Sequence, residues 1–380
     1  MRQYHASLDC LPSSGAPGVL AASVGFLLLC LIPATAATIT VPPAAGGEGI
    51  QRALDNIRGG GEVVLQAGTY LVNRPIILRH DGQTLRGAGS ATVLYLADKA
   101  DCPVVILGNP VDDPKGPTRG LHLSSLLIDG NRKNQTHELW RTLASGAQVN
   151  NNGVNVWDAD DVSVEHVVCC RCRSGGMVSS SWTRRLKVRD FTAFDNQYDG
   201  LACYLTEESH FSQLNLHDNL AAGISLDMSF NRNVIDGAVL TGNDLGVFMR
   251  QSRSNLFDGV TIQKSRHHGV FMAQSGIPGA SGWRPLPGTE CTGNRFDQLQ
   301  ISDCGGKAFL VNDDSCTNNV IGSGRFLDNV GGGLFQAPTN PVTAQALVED
   351  SSPPPANARA PLLHQTAHQA KPDGQEPTTL

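Results

Sequence analysis

Glycine-bounded units of nearly constant length repeat through the middle of the chain. Cutting the sequence after glycine gives consecutive units of 24, 23, 23 and 23 residues, which are 177–200, 201–223, 224–246 and 247–269. Each unit opens with a short apolar or mixed segment and carries a second apolar patch further on. A period of this length with strand-like segments and no helical pattern is typical of a solenoid. The pattern therefore predicts an all-β solenoid.

Asparagines recur at two fixed points of these units. One series precedes an apolar pair of residues and comprises Asn233, Asn255, Asn294 and Asn319. A second series precedes the glycine turn and comprises Asn196, Asn219, Asn243 and Asn329. Stacked amides hydrogen-bond along a ladder and satisfy buried polar groups of turns. We therefore predict that these asparagines are structural and do not bind a ligand.

The region before the repeats has a helical pattern. Residues 48–57 place Ile50, Leu54 and Ile57 on one helical face, and three glycines at 59–61 end the segment. A short amphipathic helix followed by strand-like residues suits the open end of a β-stack, whose core and strand edge it covers. The pattern predicts an N-terminal capping helix.

Composition predicts where the β-helix domain begins and ends. Residues 37–47 are rich in Pro, Gly and Ala and predict a linker, and the β-helix domain is expected at 48–336. Residues 337–380 turn to Pro, Ala, Ser, Gln and Thr without periodicity, which predicts a disordered tail.

The first 36 residues resemble a targeting segment. An apolar run at 18–32 follows Arg2 and leads to Ala34-Thr-Ala36, a small-residue cleavage site. We expect a cleaved signal peptide, a secreted, periplasmic or cell-surface protein, and no stable membrane insertion after cleavage. An uncleaved anchor and a lipid anchor remain as alternatives.

Charge and cysteine content narrow the classes of partner. The net charge of −6 gives no case for nucleic-acid binding. Eight of the ten cysteines follow the leader, an even number that permits disulfides in an exported protein without fixing their pairing. The cluster of Cys169, Cys170 and Cys172 lacks a second pair at zinc-site spacing. No cofactor is expected, and no aspartate cluster requires Ca²⁺.

Five segments resemble the N-terminal half of the pectin-lyase-like superfamily. They are 48–55 (EGIQRALD), 59–65 (GGGEVVL), 67–70 (AGTY), 83–89 (QTLRGAG) and 128–131 (IDGN). The resemblance implies a right-handed parallel β-helix over roughly residues 40–335. It also implies that a polysaccharide binds along one parallel sheet, as in polysaccharide lyases and mannuronan C5-epimerases of that superfamily. The fold alone does not determine the chemistry.

Alternation along each strand predicts which side chains face outward. Numbered from the glycine, first and third residues are mostly apolar and should point into the core, whereas second and fourth residues should point out. The fourth residues form one predicted column: Trp157, Ser180, Tyr204, Asp227, Arg250 and Ala273. Tyr204, Asp227 and Arg250 should therefore form a contiguous outward row.

This row has the residue types of a sugar-acid site. Arg250 could bind a uronate carboxylate and stabilise the charge that develops when the α-proton is removed. Tyr204 could act as acid or base if a cation lowers its pKa, and Asp227 could orient Arg250 or act as the base. Trp157 could stack on a sugar ring two coils away. A simple cross-strand Asp–Arg pair on a solvated sheet is the alternative.

Other candidates flank the row. Arg266-His267-His268-Gly269 resembles the Arg-His-Gly near the active site of alginate epimerases and the His-Gly of polygalacturonases. It makes His268 a further catalytic candidate, with Arg266 and His267 as substrate-binding residues. Asp199 and Glu207 fall at turns beside the row and are predicted to touch substrate.

The sequence thus leaves three functions open. The leading hypothesis is a lyase or C5-epimerase acting on an acidic, uronate-containing polysaccharide. A glycoside hydrolase needs a second carboxylate facing Asp227, which the strand pattern does not supply. A non-catalytic β-helix for surface binding or assembly would make the row dispensable. The oligomeric state is not determined by the sequence.

Overall fold

A computed structural model describes residues 37–111, 116–137, 141–142, 148–149, 151–274, 276–279, 282–285, 288–336 and 342–349. The predicted signal peptide lies outside these residues, as does most of the predicted tail. No helix in the described part of the chain is long and apolar enough to cross a membrane.

The coils are built from three parallel sheets, here called sheets I, II and III, and the central coils pass through all three. Sheet I comprises Ile76–Leu78, Val105–Gly108, Val154–Trp157, Met177–Ser180, Leu201–Tyr204, Ala222–Asp227, Leu245–Met249, Val270–Met272, Phe309–Val311 and Leu334–Phe335. Sheet II comprises Thr118–Arg119, Ala159–Asp160, Thr183–Arg184, Thr206–Glu207, Phe230–Asn231 and Ser252–Arg253.

Sheet III is the longest surface of the solenoid. It comprises Ala37–Val41, Gly61–Leu65, Gly68–Val72, Gln83–Arg86, Thr92–Leu96, His122–Asp129, Ser163–Cys170, Lys187–Phe194, His210–His217, Val234–Asp236, Val239–Thr241, Leu256–Asp258, Thr261–Gln263, Arg295–Asp297, Leu299–Ser302, Asn319–Leu327 and Val342–Glu349. Two short antiparallel hairpins lie outside the three sheets: Arg141–Thr142 with Gln148–Val149, and Gly276–Gly279 with Gly282–Pro285.

The register of sheet I follows the repeat seen in the sequence. The residues that open successive units pair in turn: Met177 with Leu201, Leu201 with Ile224, Ile224 with Val247, and Val247 with Val270. All of these side chains belong to one continuous apolar core. The predicted all-β solenoid with a short N-terminal helix is confirmed.

Left-handed residues turn the chain at the same points of successive coils. Between sheets I and II the left-handed residues include Asp158, Ser181, Leu205, Met228 and Gln251. Between sheets II and III they include Asp161, Arg185, Glu208, Arg232 and Ser254. Such backbone is unfavourable for residues with a Cβ. Corner amides offset this cost by hydrogen-bonding to the next coil, as Leu205 N does to Met228 O at 2.8 Å.

Both predicted asparagine ladders are present. In one, Nδ2 donates to Oδ1 of the next asparagine from Asn233 to Asn255, Asn294 and Asn319, at 3.2, 2.9 and 2.9 Å. In the other, Asn196, Asn219 and Asn243 are joined at 2.8 and 2.9 Å. Each Oδ1 also accepts a backbone N–H from the preceding coil, as from Asn233 N to Asn255 at 2.9 Å. Asn329 lies apart from this second chain and accepts from Cys304 N.

The N-terminal helix closes the first coil. It spans Gly46–Asn56 and buries Ile50 and Leu54. Gln51 supplies the hydrogen bonds that a neighbouring strand would provide, because its side chain accepts from Ile77 N at 2.7 Å and donates to Ile77 O at 3.2 Å. Its amide therefore pairs with backbone groups at the edge of sheet I, which confirms the predicted cap.

Two boundary predictions are wrong. The predicted linker begins with the strand Ala37–Val41, which pairs with Gly61–Leu65 and buries Val41. The predicted tail contains the strand Val342–Glu349, which pairs with Asn319–Leu327 over seven residues. Both strands lie outside the repeating units. Each pairs with a neighbouring strand through backbone hydrogen bonds and buries few of its side chains.

We predict that Asn255→Ala lowers the free energy of unfolding by about 2–4 kcal/mol, because it removes the buried acceptor of Asn233 N and Nδ2 and the side-chain donor to Phe230 O. Urea denaturation measures this change. Asn312→Ala is the control, since Asn312 is exposed and should change stability by less than about 0.5 kcal/mol. Equal effects of the two substitutions would contradict a structural role for the ladder.

Candidate functional site

Three stretches interrupt the repeat, at residues 108–120, 131–152 and 275–291, and each connects at one end to a strand of sheet I. The first joins Gly108 of sheet I to Thr118 of sheet II, and the second joins Asp129 of sheet III to Val154 of sheet I. The third follows Met272 and returns at Thr292, which bridges to Arg253. Insertions in solenoids commonly surround a binding face. This geometry makes the outer face of sheet I the candidate binding face.

The predicted row is contiguous on this face. Tyr204 and Asp227 are register partners, and Arg250 follows on the next coil. Arg250 Nη2 donates to Asp227 Oδ2 at 2.5 Å, and its Cζ lies 4.9 Å from the centre of the Phe248 ring. Met228 N donates to Asp227 Oδ1 at 2.8 Å. The contiguity is confirmed, while the roles of the three side chains remain predictions.

The side chains of the row are much less exposed to solvent than those on the face of a solvated sheet. Tyr204 and Asp227 are 8% and 7% exposed, and the Arg250 side chain is 22% exposed. The cross-strand Asp–Arg pair of the alternative is therefore present, but it is mostly removed from solvent. A buried carboxylate needs a partner of this kind, because desolvation of an unpaired charge is costly.

Trp157 lies on the outer face but is fully buried. Its ring packs against Ile106 and Ile77, which are second-position residues of the two preceding strands. The expectation of a free stacking platform for a sugar is therefore wrong in this structure. The indole Nε1 and the nearby Asn155 Nδ2 are buried without a hydrogen-bond partner among the described residues.

Tyr204 is held as a neutral phenol. Burial raises its pKa well above 10.0, and the negative charges of Asp199 and Asp227 raise it further. A hydrogen bond with Ser225 and the charge of Arg250 oppose this shift but do not reverse it. The expectation that a cation lowers the pKa of Tyr204 is wrong, because desolvation dominates. Tyr204 can donate a proton, but it is unsuited to act as a base at neutral pH.

His268 is also neutral. Burial lowers its pKa to about 4, and the positive charges of His267 and Lys307 contribute to the shift. Its Nδ1 accepts from Lys307 N at 2.9 Å, so the neutral ring carries its proton on Nε2. The ring stacks on Phe271, whose side chain belongs to the outer face. This tautomer makes His268 a hydrogen-bond donor toward a ligand.

Arg266 and His267 are engaged in holding the corner beside His268. Arg266 donates to Gly242 O at 2.9 Å and to Asn219 O at 2.7 Å. His267 Nδ1 lies 2.8 Å from Asp244 Oδ1. Both side chains already have protein partners, so the geometry favours a positioning role over direct binding of substrate.

The two predicted acidic residues lie in different places. Asp199 is buried at the corner that precedes the Tyr204 strand, and its Oδ1 accepts from Ala222 N at 2.9 Å. Glu207 belongs to sheet II, where its Oε2 lies 2.7 Å from Arg232 Nη2. Glu207 is therefore part of the ion pairs of sheet II and is not brought into the row, because the chain turns at Leu205.

An aromatic column in the second position of the strands was not singled out from the sequence. Phe248 and Phe271 stack with ring centres 5.7 Å apart, and Leu310 and Phe335 continue the column. Lys307 Nζ lies 5.3 Å from the Phe335 ring. The repeated Val-Phe-Met of two strands is the sequence signal that could have revealed it. The described residues contain no group of three or more His, Cys, Asp or Glu that could hold a metal ion.

We predict that acidification from pH 6.5 to 4 destabilises the protein partly through His268. In this range the unfolded chain binds a proton at His268 that the folded chain does not, so stability falls as pH falls. The contribution is roughly 1–2 kcal/mol after allowance for solvent screening. Urea denaturation should show a weaker pH dependence in His268→Gln, whose amide oxygen can still accept from Lys307 N. An NMR titration midpoint near 6.5 for His268 would contradict this.

Comparison with known proteins supports the architecture. The sequence matches the family described as "Right handed beta helix region" over residues 177–345. No curated protein matches the sequence. Endo-xylogalacturonan hydrolase from Aspergillus tubingensis is similar in structure, with 12% identity, a TM-score of 0.53 and coverage of 82% of this chain and 93% of that chain.

Two further structures share the fold. Pectate lyase Pel9A has 12% identity and a TM-score of 0.51, with coverage of 85% of this chain and 82% of that chain. Gene product 12 of bacteriophage phi29 has 14% identity and a TM-score of 0.59, with coverage of 78% of this chain and 46% of that chain. The chain therefore has the right-handed parallel β-helix fold of the pectin-lyase-like proteins.

Proposed function

We propose that this protein is exported and acts on a uronate-containing polysaccharide, as a lyase or a C5-epimerase, at the outer face of sheet I. The observation that carries the proposal is the buried pair of Asp227 and Arg250 beside the neutral Tyr204. The row lies on sheet I, to whose strands each of the three insertions connects at one end. Buried ionisable groups that converge in this way are typical of functional sites.

Arg250 is the group that substrate would meet first, because its side chain is the most exposed of the three. Its Nε is enclosed by the protein, so substrate would approach the guanidinium through the 22% of the side chain that is exposed. A uronate carboxylate fits that planar donor set. Binding there would neutralise the carboxylate and lower the barrier to removal of the α-proton at C5.

Asp227 and Tyr204 have complementary roles in the proposed reaction. A substrate carboxylate that competes for Arg250 weakens the ion pair and makes Asp227 available as the base. The anion formed at C5 then eliminates the glycosidic bond, or it is reprotonated from the other face. Tyr204 is a neutral acid and can supply a proton to the leaving oxygen or to C5. His268 Nε2–H can hydrogen-bond a hydroxyl or carboxylate of a neighbouring sugar.

A glycoside hydrolase is the second candidate, and one observation favours it. Asp199 and Asp227 both raise the pKa of Tyr204, so two carboxylates lie near its hydroxyl group. Two carboxylates that flank one bond are what hydrolysis requires. The similar structures include a pectate lyase and a xylogalacturonan hydrolase by name, and at their level of identity they carry the fold only.

We predict that Arg250→Ala lowers kcat/KM on the active polyuronate by about 100-fold or more, because it removes transition-state charge stabilisation and the ion pair with Asp227. Arg253→Ala is the matched control. Arg253 is three residues further on, in sheet II, where it pairs with Glu290 at 3.1 Å. Full activity of Arg250→Ala would remove this residue from the proposed site.

The products distinguish the reactions. The protein is incubated with a panel of polyuronates and neutral glycans in deuterated buffer. Unsaturated ends identify a lyase, and deuterium at C5 without cleavage identifies an epimerase. Reducing ends without unsaturation identify a hydrolase. No change in any glycan would overturn the enzymatic proposal and favour a β-helix used for binding or assembly.

We predict that Asp199→Asn separates the two enzyme classes. The amide oxygen can still accept from Ala222 N, so the corner should be retained. A lyase or epimerase should keep at least about a third of its activity, whereas a hydrolase that uses Asp199 should lose about 100-fold or more. The measurement is the initial rate on the substrate identified above.

A further inference from the structure

Cys291 and Cys316 lie one above the other in neighbouring coils. Arg295 pairs with Val320, and Phe296 with Ile321, a constant offset that also relates the two cysteines. Neighbouring parallel strands are separated by roughly 4.8 Å. This spacing falls within the range of Cα separations that a disulfide spans, about 4.4–6.8 Å.

Hydrogen bonds hold the two residues together. Asn319 Nδ2 donates to Cys291 O at 3.0 Å and to Cys316 O at 2.9 Å. Each thiol also shifts the pKa of the other, as expected for neighbouring sulfur atoms. Both side chains are fully buried in the main core. The interaction with Cys291 lowers the pKa of the Cys316 thiol, while burial raises the pKa of Cys291.

The other cysteines are not arranged in this way. In the described part of the chain, all eight cysteines are buried and present as free thiols. Within the cluster of three, Cys172 Sγ contacts the carbonyl oxygen of Cys170 at 3.7 Å. Cys169 also interacts electrostatically with Cys170 and Cys172, but the pair of Cys291 and Cys316 is the one that a shared asparagine holds together.

We propose that Cys291 and Cys316 form a disulfide when the chain folds in an oxidising compartment. With a small-molecule disulfide as oxidant, the thiolate of one cysteine displaces a small thiol and forms a mixed disulfide. The second cysteine then displaces the other small thiol. The protein loses two hydrogen atoms and is oxidised, and one small disulfide is reduced to two thiols.

The bond would fix one border of sheet I. Cys291 follows Glu290, which pairs with Arg253, and its Sγ lies 3.6 Å from Ala273 O. Both ends of the third insertion therefore meet at Cys291. A link to Cys316 ties this point to the next coil and restricts the unfolded chain. This inference does not depend on the proposed enzymatic function.

The test is refolding of the full chain from denaturant, in a glutathione redox buffer or in dithiothreitol. Each sample is denatured and alkylated without reduction, and the mass of the protein is measured by mass spectrometry. We expect all ten thiols to be alkylated after refolding in dithiothreitol and eight after refolding in glutathione. Trypsin cuts at Arg295 and Lys307, so the disulfide appears as two peptides that separate on reduction. Ten alkylated thiols in both samples, or a link between other cysteines, would overturn the proposal.

Cysteine variants distinguish a specific disulfide between Cys291 and Cys316 from non-specific oxidation of thiols. Cys291→Ala and Cys316→Ala should each abolish the linked peptides, whereas Cys304→Ala, at another fully buried cysteine, should retain them. Far-UV circular dichroism checks that each variant folds. If a variant does not fold, the thiol counts of the two wild-type samples still test whether the disulfide forms. The oxidised wild-type protein should melt about 5 °C above the reduced protein. Equal melting temperatures of linked and reduced protein would contradict the proposed stabilisation.

Discussion

The register of backbone hydrogen bonds between neighbouring coils is the constraint on which the rest of this structure depends. Each parallel strand pairs residue for residue with the strand before it, so equivalent positions stack in columns. A column that faces the core must be uniform in its chemistry, because an isolated polar group inserted there would lack a partner. The apolar core and both asparagine ladders are consequences of this one requirement.

The same register builds the candidate site. Asp227 and Arg250 meet because they occupy the same position in successive coils, so the distance between strands brings carboxylate and guanidinium into contact. Register alone does not decide how open such a row is. Tyr204 packs with Val178 and Ala202, and this packing removes the phenol from solvent and keeps it protonated.

Corners explain which predicted residues reach the site and which do not. Glu207 is only three positions from Tyr204 in sequence, but Leu205 turns the chain into sheet II between them. Arg266 and His267 lie at another corner, where carbonyl oxygens and Asp244 occupy their donors. Sequence proximity therefore overestimates the size of a solenoid site, since each corner directs neighbouring residues to a different face.

The sequence by itself determined the quantities that repeat: the coil length, the inward positions, the two asparagine series, the capping helix and the contiguity of Tyr204, Asp227 and Arg250. These depend on local period and register, which a single chain encodes directly. Only the tertiary structure decided the burial of Trp157, the neutral states of Tyr204 and His268, and the proximity of Cys291 to Cys316. It also revealed the strands Ala37–Val41 and Val342–Glu349. Those properties arise from contacts between coils and from desolvation, to which residues distant in sequence contribute together.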